Sequence, residues 1–136
     1  MRDMTITMAY DSVDKTFAGL LAAFLRENGF KVKTDGVFRE KGILALVMTG
    51  ESRLESIEKA NPWVKKEFGR SSTVGLRVLP LVIFDSTKEK IEDVWANAKK
   101  IYAIMSEEFK PYAFDMADKE KSLIEFRRVI RDQYEE

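Results

Sequence analysis

The residues best suited to chemistry form a short constellation, Trp63-Val64-Lys65-Lys66-Glu67. A spacing of four puts Trp63 and Glu67 one turn apart on a single helical face, so a carboxylate stands beside an indole. Such a partly apolar setting leaves the carboxylate weakly solvated and poised. The plainer alternative is an amphipathic turn with Trp63 in the core and Glu67 paired to a lysine. Two polar loops are the other candidates. Tyr10-Asp11-Ser12-Val13-Asp14-Lys15 follows a short β-rich segment, and Thr49-Gly50-Glu51-Ser52 follows a strongly apolar one. Open α/β sheets bind ligands where such loops leave the carboxyl ends of strands, although helix capping accounts for the same residues.

What the chain lacks narrows the chemistry further. It has 136 residues with neither His nor Cys. A thiolate nucleophile, a Ser-His-Asp triad, a His general base and the usual zinc sites are therefore excluded. The seven glycines form neither the Gly-x-Gly of a dinucleotide loop nor a phosphate loop ending in Gly-Lys. Basic and acidic residues number 23 each, for zero net charge, which argues against a nucleic-acid or anionic-membrane surface. The longest apolar run, Ile43 to Met48, is too short to span a bilayer. Nothing after Met1 reads as a signal peptide. The expectation is a cytoplasmic, single domain over 1–136.

These candidates need elements to position them, and the pattern supplies alternating strands and helices. Met4 to Ala9 reads as strand one. Phe17, Leu20, Leu21, Phe24 and Leu25 then mark a helix capped by Asp14 and stopped at Asn28-Gly29. Phe30 to Thr34 is strand two, and the continuous apolar run Ile43 to Met48 is a strand covered on both faces. Ser52-Arg53-Leu54-Glu55 has capping-box spacing for a helix reaching Ala60, and Asn61-Pro62 opens a shorter one closed by Gly69. Leu76 to Phe84 is a buried strand despite Pro80. Ser86-Thr87-Lys88-Glu89 is a second capping box, before a helix carrying Ile91, Val94, Trp95, Ala98, Ile101, Tyr102 and Met105. Pro111 to Phe114 reads as an edge strand. Asp118 caps a last helix with Leu123, Phe126, Ile130 and Tyr134 on one side. This alternation predicts a mostly parallel sheet between helical layers. Asp35-Gly36 is a hairpin signal, so an extra hairpin at 35–42 is the alternative to a crossover there.

Taken in order, several segments resemble a Toll/interleukin-1 receptor (TIR) domain. Ile6 to Lys15 resembles the family's opening strand and Ser-x-x-Asp-Lys loop, and Leu21 to Asp35 its first helix and second strand. Ala45 to Thr49 stands where the third strand meets a Ser-Pro, here Thr49-Gly50. Trp63 to Glu67 is similar to the Trp-x-x-x-Glu helix, and Val78 to Val82 to the Pro-containing strand that follows. The resemblance covers roughly residues 4–105 and implies a flavodoxin-like fold with strand order 2-1-3-4-5. The family's long segment after strand two is replaced by Gly36 to Gly42.

Some family members are adaptors that assemble through TIR–TIR contacts, and others cleave the nicotinamide–ribose bond of NAD. The resemblance thus implies an NAD nucleosidase with Glu67 catalytic, Trp63 on the pocket wall, Tyr10, Asp11 and Ser12 on the nucleotide side, and Thr49 also binding substrate. NAD is then a substrate, with no separate cofactor or metal. The alternatives are a non-catalytic TIR-like module, binding itself or a TIR-type partner through the helix around Asp118 to Tyr134, and a nucleoside- or nucleotide-processing flavodoxin-like protein.

Overall fold

In the computed structural model, residues 5–34, 42–62, 64, 77–105 and 112–134 are described. The strands are β1 (Thr5–Ala9), β2 (Lys31–Lys33), β3 (Ile43–Met48), β4 (Arg77–Phe84) and β5 (Tyr112–Asp115). The described α-helices are α1 (Lys15–Glu27), α2 (Leu54–Ala60), α3 (Ile91–Met105) and α4 (Lys119–Tyr134), with a 3-10 turn at Ser12–Asp14. All strand pairs are parallel, in the order β2-β1-β3-β4-β5. The parallel sheet between helical layers is the one the pattern predicts, and its flavodoxin-like order is the one the resemblance implies.

β3 lies between β1 and β4, with Ile6 opposite Ile43 and Leu46 opposite Pro80. All six of its residues are buried because both faces of the sheet are covered. Its period-two alternation divides the core. Ile43, Ala45 and Val47 face α1 and α4, together with Ile6, Met8, Leu81 and Phe126. Leu44, Leu46 and Met48 face α2 and α3, together with Ile57, Val64, Val82 and Val94. Each fully buried aliphatic side chain contributes about 1.5–3 kcal/mol. Pro80 lies within β4 opposite Leu46, and among the described residues the pairing with β5 runs from Leu81 onward.

α1 ends as its sequence requires. The Phe30 N–H bonds the Leu25 carbonyl and the Gly29 N–H bonds the Arg26 carbonyl, a Schellman closure with Gly29 at φ +93°. Phe30 then buries its ring against Phe126, 5.2 Å between centroids. β2 and β3 flank β1 and both run parallel to it. The hairpin expected at 35–42 lies outside the described residues. No helix among the described residues is long and apolar enough to cross a membrane.

Candidate functional site

The loops leaving β1 and β3 meet at the carboxyl edge of the sheet, where two carboxylates tie them together. Asp11 is 1% exposed. Its Oδ1 accepts the Val13 N–H at 3.1 Å, which caps the 3-10 turn, and its Oδ2 accepts the Arg53 N–H at 2.9 Å at the start of α2. Asp14 is 5% exposed and accepts the Thr49 hydroxyl at 2.8 Å on Oδ1 and the Ser52 hydroxyl on Oδ2. Both hydroxyls are in turn acceptors: Ser52 Oγ takes the Thr49 N–H at 2.8 Å, and Thr49 Oγ1 takes the Glu51 N–H at 3.1 Å. Backbone donors therefore orient both O–H protons toward Asp14.

Burial raises the Asp14 pKa above its ordinary value, with Asp11 and Glu51 adding to the rise. The Ser52 and Thr49 hydroxyls oppose this by favouring the carboxylate, and burial wins. Two amides complete the frame. Asn97 Nδ2 donates to the carbonyls of Thr49 and Ser52 at 2.8 and 2.9 Å, fastening the β3 loop to α3. Asn61 Nδ2 donates to the carbonyls of Tyr10 and Ile57, both at 2.9 Å, fastening the end of α2 to the β1 loop. Because every partner is a carbonyl, the amide orientations are unambiguous.

Over this frame lies an open cleft of about 450 Å³ lined by Asp11, Ser12, Val13, Glu51, Arg53 and Ser56. Asp11 forms its floor, and Ser12, Glu51 and Arg53 are exposed along its walls. With one cation, one free carboxylate and two serine hydroxyls, it can take a ligand bearing both phosphate and hydroxyl groups. Among the described residues, no group of three or more carboxylates is placed to hold a metal.

Tyr10, Asp11, Ser12 and Thr49 are brought to one edge as expected, but with different duties. Ser12 is available to a ligand. Asp11 and Thr49 are committed to the frame, and Thr49 does not line the cleft. Tyr10 sends its hydroxyl to the Thr34 carbonyl at 3.3 Å, tying β1 to the end of β2. Trp63 and Glu67 lie outside the described residues. Around Trp63, Asn61 is bonded to the Tyr10 carbonyl, and Val64 is fully buried with Ile57 on the α2 side of the sheet.

Sequence reasoning named Glu51 only as part of its loop and Asn61 only as a helix cap, missed Arg53, Ser56 and Asn97, and misread Asp14 and Ser52 as helix caps. Neither caps its helix: Asp14 at α1 makes no capping bond with its side chain, and α2 begins after Arg53 with no side-chain cap. The available signal was the Asp-x-x-Asp and Thr-x-x-Ser spacings, each directly after an apolar central strand. Compared with protein-family models and with curated proteins, the chain has no match.

Proposed function

We propose that the chain is a TIR-like domain that hydrolyses NAD, or a close nucleotide, at the nicotinamide–ribose bond through Glu67. The observation that carries this reading is the polar cleft at the carboxyl ends of β1 and β3, on a sheet of flavodoxin-like order. Its chemistry suits a dinucleotide. Arg53 offers a cation to the pyrophosphate, and Glu51 offers an acceptor to ribose hydroxyls. Ser12 and Ser56 add hydroxyls. Asp11 and Thr49 hold the loops through the bonds described above, with Tyr10 bracing β1. The tether from Asn61 to the Tyr10 carbonyl supports bringing the Trp63–Glu67 segment to this edge, with Trp63 as pocket wall.

The reaction asks little of the protein. The bond between ribose C1′ and the pyridinium nitrogen breaks, and its electron pair leaves with nicotinamide, which departs neutral. The Glu67 carboxylate stabilises the oxocarbenium-like ribose. Water adds to C1′ and releases a proton, giving ADP-ribose. Neither His nor Cys has a part, consistent with a chain that has none.

The test is nicotinamide release from NAD at high protein concentration, wild type beside Glu67→Gln. The wild type should release nicotinamide, and the variant should lose about 100-fold or more of the rate. Equal release from both would overturn the role of Glu67. No release from folded wild type would overturn the enzyme reading, and cleavage of nucleosides with NAD intact would replace it with nucleoside processing.

A further inference from the structure

Next to the polar cleft, and sharing Val13 and Glu51 with it, lies a groove of the opposite character. Val13 and Leu20 are large apolar side chains left 66% and 56% exposed. With Phe17 they form the bed of an open groove of about 300 Å³ along the start of α1. Apolar side chains gathered in one concave place mark a contact site. Every charged residue lining this groove is acidic: Asp14, Glu51 and Glu89. Asp14 is buried, with its oxygens taken by Thr49 and Ser52, so the charge open to a ligand belongs to the two glutamates. Glu51 is exposed and Glu89 half-buried. Glu89 Oε2 accepts the Asp85 N–H at 3.1 Å, while Oε1 leans over Gly50, 3.5 Å from where a Cβ there would stand. Among the described residues neither glutamate is ion-paired. Lys15, Lys88 and Lys90 are exposed nearby in sequence but do not line the groove.

We infer that this groove binds a small organic cation, a primary ammonium carried on an apolar body. The body covers Val13, Phe17 and Leu20, and the ammonium meets the carboxylates of Glu51 and Glu89. A neutral molecule of the same shape gains only the first contact, and an anion is repelled. The volume lies at the small end of ligand pockets, which fits a single ring or a short alkyl chain. Binding is weak, because the groove is open and its charges are screened by water. The inference does not rest on the cleavage reading. Phe17, Leu20 and Glu89 line the groove and not the polar cleft, and its test contains no NAD.

The test follows backbone amide shifts of the nitrogen-labelled full chain by NMR at low salt. The probes are phenethylammonium, phenethyl alcohol and phenylacetate, one body carried as cation, neutral molecule and anion. The cation should shift the amides of Val13, Phe17, Leu20 and Gly50 and saturate in the millimolar range. The alcohol should bind roughly fivefold more weakly, and phenylacetate should leave these amides unmoved. Added salt should weaken the cation alone. Glu89→Gln keeps an oxygen for the Asp85 N–H, and should raise the Kd of the cation about threefold while leaving that of the alcohol unchanged. Leu20→Asn, at an exposed position, should weaken cation and alcohol alike, roughly threefold. The inference is overturned if the cation produces no shifts, or if cation and alcohol bind equally. Shifts centred on Ser12, Arg53 and Ser56 overturn it as well, as does an unchanged Kd for the cation in either variant.

Discussion

Asp14 concentrates the physics of the site in one side chain. Its two oxygens receive two hydroxyls whose own lone pairs are occupied by backbone N–H groups, so neither hydroxyl can turn away without orphaning a donor. Asp14→Ala leaves both hydroxyls without their acceptor in a buried place, and should cost about 1–3 kcal/mol in urea unfolding. The pH dependence has a definite sign. Asp14 has a folded pKa above its unfolded value of 3.8. The protonated form is thus the one that folding favours. Its contribution to stability is present below about pH 3.8 and is lost as the pH rises through the raised folded pKa. The stability of wild type minus that of Asp14→Asn should therefore fall as the pH rises across that window, with the other carboxylates cancelling in the difference. A difference that rises with pH would show that the two hydroxyls, and not burial, dominate.

At the scale of elements, Gly29 sets where α1 stops and β2 begins. A Cβ there would meet no atom within 4 Å, so the demand is on the backbone alone, at φ +93°. Gly29→Ala should cost about 1–2 kcal/mol by thermal or chemical unfolding, and Gly29→Asn less. This stop was legible in the sequence because it is local chemistry, as was β3, whose six apolar residues admit only a strand covered on both faces. The alternation of strands and helices gave a mostly parallel sheet, whereas the order of strands was implied only by the resemblance. The capping boxes were legible as spacing and wrong as structure. Ser52 is drawn to Asp14, 38 residues away, and α3 starts at Ile91 with Glu89 Oε2 accepting the Asp85 N–H at 3.1 Å. At Ser52 a contact between distant loops outcompeted a local one, and a single sequence carries no trace of which will win. Asn61 and Asn97 were hidden for the same reason, since their carbonyl partners are fixed only once the sheet has formed.

For the molecule as a whole, the core on the α1 and α4 side gathers the aromatic rings. Phe126 meets Phe30, Tyr112 and Phe114 at centroid distances of 5.2, 5.8 and 6.3 Å, joining α4 to β5 and to the turn before β2. Phe126→Ala should cost about 3–5 kcal/mol, read as a lowered midpoint with one cooperative transition retained. A loss below about 1 kcal/mol would mean that the cluster collapses around the gap. The clasp at the carboxyl edge has a consequence for how this protein can change over generations. Asp11 and Asp14 on one loop, and Thr49, Ser52 and the Arg53 backbone on the other, are a single heritable unit. Neither loop can drift alone. Descendants that lose the carboxylate at 14 should also carry altered residues at 49 and 52, whereas exposed Ser12 and half-buried Ser56, which carry no bond of the frame, remain free to be tuned for a new ligand.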